Sequence, residues 1–207
     1  MRPGILALLL RTSVALGTGV LCGCGRPSEE VIILDRDERP AARLHRTGDV
    51  EDGPVLLYWP TGQVRVEGCY DRDRRTGWWG TSHPDGHRRS WTHYRNGLKD
   101  GLRVHWDSTG RTMRSERFVK GKHNGLFIRR FPDGRIAERS TYVDDLLEGP
   151  HIQWYDDRGG SVVMGSYHKD LAQGLWTEYD TTGRSIWQGY FNAGVVERMV
   201  YGKRRKH

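Results

Sequence analysis

LRVHWDSTGRTMRSERFVKGKHNG, the run from Leu102 to Gly125, reappears in outline when it is slid 24 residues in either direction. Turn glycines recur at Gly62, Gly86, Gly110 and Gly134, then at Gly159 and Gly183. Closing glycines recur at Gly77, Gly101, Gly125, Gly149 and Gly174, with Gly53 at the matching place before the first unit. A midpoint aromatic keeps the same spacing at Tyr70, Tyr94, Phe118, Tyr142, Tyr167 and Phe191. One insertion near Gly159–Gly160 keeps six units in phase. Three residue classes on one period define a repeat protein.

Each unit opens with a period-two run, such as Leu102, Val104 and Trp106, or Pro150, Ile152 and Trp154, or Leu175, Thr177 and Tyr179. Arg103, His105, Gln153 and Glu178 fall between them, so the spacing predicts a strand whose first, third and fifth residues are buried. Turn formers follow: Pro60-Thr61-Gly62, Pro84-Asp85-Gly86, Ser108-Thr109-Gly110 and Pro132-Asp133-Gly134. Proline presets the first turn residue and glycine takes the positive φ that closes a short hairpin. A second extended run leads to the midpoint aromatic, and a turn such as Asn96-Gly97 or Lys120-Gly121 enters the next unit. A glycine or proline falls too often for helix to persist. The fold class expected is all-β: about six 24-residue hairpins, each marginal alone, stacked into an elongated antiparallel sheet.

Tyr94-Arg95-Asn96-Gly97-Leu98-Lys99-Asp100-Gly101 fits the pattern Tyr-x-x-Gly-x-x-x-Gly, and Phe118 to Gly125 fits with Phe for Tyr. This motif resembles the MORN repeat, most closely its bacterial variant form. Asp73, Asp145 and Asp170 replace the middle glycine, Ser82 and Arg130 the first-strand aromatic, and Arg198 the last closing glycine. The resemblance covers 54–198 and implies a hairpin array. Members of the family range from membrane-associated scaffolds to bacterial proteins labelled antitoxin-like, so it leaves the partner open.

Residues 1–23 read as a secretion signal, with Arg2 and Arg11 as the charges and apolar runs at Ile5–Leu10 and Val14–Leu21. Leu21-Cys22-Gly23-Cys24 resembles a bacterial lipobox, which implies lipid attachment at Cys24 and removal of everything before it. Residues 24–53 read as a polar tether containing Val31-Ile32-Ile33-Leu34, a candidate cap strand or a partly ordered leader. The repeat domain occupies 54–198, and a closing strand with a basic tail occupies 199–207.

The net charge is +7. Two arginines belong to the leader and four basic residues to 203–206, so 27 of the 33 basic side chains remain against 26 acidic ones. The basic residues of the array are interspersed with acidic ones, so no stripe for nucleic acid is expected. Three cysteines make no disulfide framework. With Cys24 acylated and Cys22 removed, Cys69 is expected alone beside Tyr70 as a small apolar filler.

His83 and His87 are separated by a turn, and His93, His105 and His123 lie on different units, so no metal or cofactor is assigned. No catalytic motif is present. Trp106 and Trp154 sit on the expected inner face, whereas Trp79, Trp91 and Trp187 fall out of that register. That second set reads either as an exposed aromatic strip or as part of a sheet buried on both faces.

The expectation is a non-catalytic binding or scaffold lipoprotein. Acylated Cys24 would anchor it in the bacterial cell envelope, at the outer membrane because Gly25 rather than Asp follows the cysteine. Its partner would be a protein or an envelope polymer. The alternatives are an antitoxin-like binding module, or a glycan-processing hydrolase built on Asp144, Asp145 and Glu148.

Overall fold

The structure, a computed structural model, describes residues 7–9, 28–155 and 160–202. Cys24, Gly159, the basic tail and all of the leader except Ala7–Leu9 lie outside the described residues. Among the described residues every regular element is a strand. The chain divides into two units, one up to Gly110 and one from Arg111.

The first unit contains β1 (Ala7–Leu9), β2 (Glu29–Leu34), β3 (Pro40–Thr47), β4 (Val50–Tyr58), β5 (Val64–Asp71), β6 (Arg74–Ser82), β7 (Arg88–Arg95) and β8 (Leu98–Trp106). Each pairs antiparallel with the next. The second unit contains β9 (Thr112–Val119), β10 (Lys122–His123), β11 (Gly125–Arg130), β12 (Ile136–Val143), β13 (Leu146–Leu147), β14 (Gly149–Trp154), β15 (Val162–His168), β16 (Leu171–Tyr179), β17 (Ser185–Asn192) and β18 (Val195–Tyr201). It is likewise an antiparallel meander, with the short strands β10 and β13 leading into β11 and β14.

The turns are built as their residues dictate. In Trp59-Pro60-Thr61-Gly62-Gln63 the Trp59 N–H donates to the Gln63 carbonyl at 2.8 Å, and the Gly62 N–H donates to the Trp59 carbonyl at 2.8 Å. The same two bonds close Phe131 to Arg135 and Asp180 to Arg184. The pattern needs a left-handed residue at the fourth place, and Gly62, Gly86, Gly110, Gly134 and Gly183 have φ between 82° and 92°. The closing glycines Gly77, Gly101, Gly125, Gly149 and Gly174 are also at positive φ, between 63° and 123°.

The array extends one hairpin beyond the expected start at 54. β2 and β3 enclose Asp35-Arg36-Asp37-Glu38-Arg39, where the Asp35 N–H donates to the Arg39 carbonyl at 2.8 Å, as in the later turns. Glu38, 24 residues before Gly62, takes the left-handed place at φ 59°. The segment read as tether with a candidate cap strand is therefore a repeat hairpin from Glu29 onward, hidden because its turn lacks glycine.

The aspartates that replace the middle glycine have a structural use. Asp73, Asp145 and Asp170 hold φ of 63°, 74° and 67°. The Asp145 N–H donates to the His123 carbonyl at 3.0 Å, while its Oδ1 accepts the His123 N–H at 2.7 Å. Asp73 makes the same two-point clamp on Glu51, and Asp170 makes it on Leu147. Glycine at this place makes only the backbone half, as Gly97 does on Arg75 at 2.9 Å. Aspartate tolerates the left-handed conformation and adds an acceptor, so each clamp ties one hairpin to its predecessor.

One expectation is corrected by burial. The buried face is the opposite of the one expected: Leu102 and Leu175 are 46% and 42% exposed, whereas Trp79 and Trp176 are 7% and 3% exposed. The core of the first unit gathers Val31, Leu44, Val55 and Trp79, and that of the second gathers Val163, Trp176, Trp187 and Phe191. Room for the indoles comes from mid-strand glycines. A Cβ on Gly68 would lie 2.7 Å from Trp79 Cε3, and one on Gly165 would lie 2.6 Å from Trp176 Cγ. In β6 and β16 large apolar residues stand on both faces, Trp78 beside Trp79 and Leu175 beside Trp176, so period two alone could not choose between the faces there.

Arg198 lies at the place of the closing glycines, in the irregular stretch that each second-turn strand pair carries. In the β16–β17 pair Gly174 faces Phe191 and Leu175 faces Tyr190. In the β17–β18 pair Val196 faces Phe191 and Arg198 faces Tyr190, with a bulge between. At both ends of that bulge the final pair keeps the register of the other units: Phe191 faces Val196 as Tyr167 faces Ala172, and Gln188 faces Tyr201 as Met164 faces Thr177.

Candidate binding face

Strand alternation sorts the side chains of the second unit into a core face and a second face. On the core face the midpoint aromatics pack edge-to-face, with Tyr167 at 5.0 Å and Phe191 at 6.0 Å from the Trp176 ring. The Trp176 indole N–H donates to the Ser166 carbonyl at 3.2 Å. The repeat aromatics therefore serve the core, whereas the turn glycines serve the turns.

The second face carries the aliphatic residues that the opening runs and second turns supply. Leu126, Val143, Leu146, Leu171, Leu175, Tyr190 and Val195 are between 39% and 68% exposed. Their register places them together: Val143 faces Leu146, Leu175 faces Tyr190, and Val195 faces Asn192. Ile128, Ile152 and Met164 continue the same face, with Ile152 opposite Met164, and are half-buried. A sheet apolar on both faces is stable in water only if something covers each. The spacing of Leu102, Leu126 and Leu175 was legible in the sequence, but it was read as the core.

In the first unit the second face is aromatic. The Trp78 and Trp91 rings stack at 5.7 Å with 13° between planes, and His93 meets Trp78 edge-on at 5.0 Å. The Arg88 guanidinium lies 3.9 Å over Trp91 and pairs with Glu67 at 2.8 Å. Of the three tryptophans expected out of register, Trp79 and Trp187 are core residues, and only Trp91 stands on this face. The aromatic strip formed by all three does not exist.

The carboxylates suggested for hydrolysis are taken up by structure. Asp144 and Asp145 are left-handed turn residues, and Asp145 is a clamp. Glu148 accepts from His168 Nδ1 at 2.9 Å and from the Lys169 N–H at 2.9 Å. These bonds, the histidine first, hold its carboxyl below the usual carboxylate range. They bring no pair of carboxylates to bear on a common site.

A different polar track lies on the core face of the second unit, and sequence reasoning missed it. Glu116, 1% exposed, forms an ion pair with Arg114 Nε at 2.6 Å and a hydrogen bond with His123 Nε2 at 2.6 Å, and His123 Nδ1 lies 3.3 Å from Asp145. Beside it, Glu138 pairs with Arg129 at 3.3 Å and accepts the Ser140 hydroxyl at 3.1 Å. Ser140 Oγ lies 2.9 Å from His151 Nδ1. Ser140 and His151 match a nucleophile and its base by residue type, yet the proton order is reversed. With the serine proton given to Glu138, the Nδ1–H of His151 donates to Oγ, whereas a catalytic base must accept from it. Ser140 is also 0% exposed. Burial pushes the His151 pKa down, favouring a neutral ring.

His83 and His87 bracket a turn through a backbone bond of 2.8 Å, and His83 Nε2 reaches the Trp106 carbonyl at 3.2 Å. Among the described residues no group of three or more His, Cys, Asp or Glu side chains is placed to hold a metal ion. Cys69, expected as a lone thiol, is 2% exposed and disulfide-bonded. The other cysteines of the chain, Cys22 and Cys24, lie outside the described residues.

No protein-family model matches the chain, and no curated protein matches it.

Proposed function

We propose that this chain is a non-catalytic binding or scaffold lipoprotein of the MORN-repeat-variant kind. It is tethered through acylated Cys24 in a bacterial cell envelope, with the outer membrane as its site, and offers a sheet face to a protein or envelope polymer. The observation that carries the binding role is the uncovered second face, apolar in both units, set beside carboxylates and histidines that are engaged in clamps and ion pairs. A repeat array suits such a role because adding hairpins extends one surface without a new core. The lipobox-like Leu21-Cys22-Gly23-Cys24 supports the tether.

The tether and the Cys69 disulfide exclude one another within one chain. Cleavage before Cys24 removes Cys22, and the thioether consumes the Cys24 sulfur, so the processed protein carries Cys69 as a thiol. Two acyl chains give stable anchoring where one is marginal. The test is to fractionate cells expressing wild type and Cys24→Ala with a fatty-acid label, and to alkylate Cys69 in denaturant without reduction. Wild type is expected in membranes, labelled, with Cys69 alkylated; Cys24→Ala is expected to leave them. An unlabelled wild type whose Cys69 resists alkylation until reduced removes the tether and favours an antitoxin-like soluble module.

A further inference from the structure

We propose that the outer edge of β2 is a strand-pairing site. The leader strand β1 closes it while the leader is attached, and removal of the leader opens it to an extended apolar segment of a partner protein. The opening step rests on the tether reading, in which everything before Cys24 is cut away. The edge is occupied in the structure: Ala7–Leu9 lies antiparallel along it, with Ala7 opposite Ile33, Leu8 opposite Ile32 and Leu9 opposite Val31. The other edge of β2 belongs to β3, where Leu44 stands opposite Val31 and Ala42 opposite Ile33. Taking the leader away therefore strips one side of β2 of its backbone partners and leaves a row of N–H and C=O groups ready to pair.

Two features fix the chemistry of the occupant. The first is the composition of the edge. Proteins blunt exposed edge strands with charge, and the last strand, β18, carries Glu197 and Arg198 at its middle. β2 instead runs Val31-Ile32-Ile33-Leu34, with Glu29 and Glu30 confined to its start, so nothing in the paired stretch repels an added strand. The second is what each position meets. Val31 is a core residue with Leu44, Val55 and Trp79, and Ile33 packs against that core. A residue opposite either one extends the core face, as Leu9 and Ala7 do, so alternate side chains of the occupant are apolar. Main-chain bonds supply affinity in such an addition, and the alternate side chains supply selection. Only a polypeptide offers the repeating N–H and C=O groups that the edge requires, which selects a protein segment over a lipid or a polysaccharide.

The probe is a fluorescent peptide of the leader's own sequence, Ile5-Leu6-Ala7-Leu8-Leu9-Leu10-Arg11, on a soluble polyethylene glycol tail. It is made unmodified, N-methylated at Ala7 and Leu9, and N-methylated at Leu8 and Leu10. The two methylated forms are equally apolar, but in a strand each blocks the amides of one side only. The processed chain is extracted from membranes in mild detergent, its mass reporting leader removal and acylation, and is compared with the leader-bearing full chain from cell-free synthesis. The processed chain is expected to bind the unmodified peptide, and one methylated form at least about tenfold more weakly than the other. The leader-bearing chain is expected to bind the unmodified peptide at least about tenfold more weakly than the processed one, because β1 holds the edge. A processed chain that ignores the peptide, or binds both methylated forms alike, overturns the pairing site while the mass still upholds the tether. Equal binding by the leader-bearing chain shows that β1 does not close the edge and also overturns the proposal. A chain whose mass in cells always includes the leader overturns the tether reading and the opening step together.

Discussion

Gly165→Ala tests how the core face is built. In an extended strand alanine ordinarily stabilises over glycine by about 0.5–1 kcal/mol, because it has less chain entropy to lose. Here its Cβ would sit 2.6 Å from Trp176 Cγ, well inside contact distance. The indole cannot swing away freely: it is 3% exposed, bonded through Nε1 to the Ser166 carbonyl, and wedged between Tyr167 and Phe191. Overpacking of this kind costs about 1–3 kcal/mol, so the net expectation is a loss of roughly 1–2 kcal/mol. Trp176→Leu alone should cost about 2–4 kcal/mol through the cavity it leaves. Combining the two should cost at least about 1 kcal/mol less than their sum, since the smaller side chain makes room for the new methyl. Urea denaturation of the four proteins in the cycle measures this. A Gly165→Ala protein as stable as wild type, or strict additivity in the cycle, would show that the glycine is not there to admit the tryptophan.

The Asp145 clamp predicts an order of substitutions: Asp145→Gly should lose about 1 kcal/mol, the worth of one side-chain hydrogen bond. Asp145→Ala should lose about 1 kcal/mol more, because alanine is strained at φ 74°. An alanine variant at least as stable as the glycine one in thermal melts would contradict the clamp. His151, whose pKa burial depresses below the ordinary 6.5, should make stability pH-dependent on the acid side. The unfolded chain takes up the proton first, so stability present above about pH 6.5 falls as pH drops toward the lower folded value. His151→Gln should flatten that part of a stability profile between pH 7.5 and 5, and an identical slope in both proteins would rule out this histidine as the cause.

The 24-residue spacing of Gly62, Gly86, Gly110 and Gly134, with the turn formers before them and the period-two runs on either side, was enough to give hairpins, their turns and the all-β class. Local backbone chemistry explains why: a left-handed fourth turn residue is a requirement of the turn itself and owes nothing to distant contacts. Where the local signal was replaced the sequence was opaque, as at Glu38, which holds the left-handed place without being glycine, and at Asp73, Asp145 and Asp170, whose clamps appear only when the preceding hairpin is beside them. The choice of face belonged to tertiary structure. Leu175 and Trp176 are neighbours on opposite faces of β16, and alternation cannot rank two apolar sets; on β8 the alternation of Leu102 with Arg103 and His105 pointed to a face on which Leu102 stays in water. The deciding fact is a cross-strand fit between residues about eleven apart, Gly68 under Trp79 and Gly165 under Trp176, which closes one face around the indoles and leaves the leucines in water.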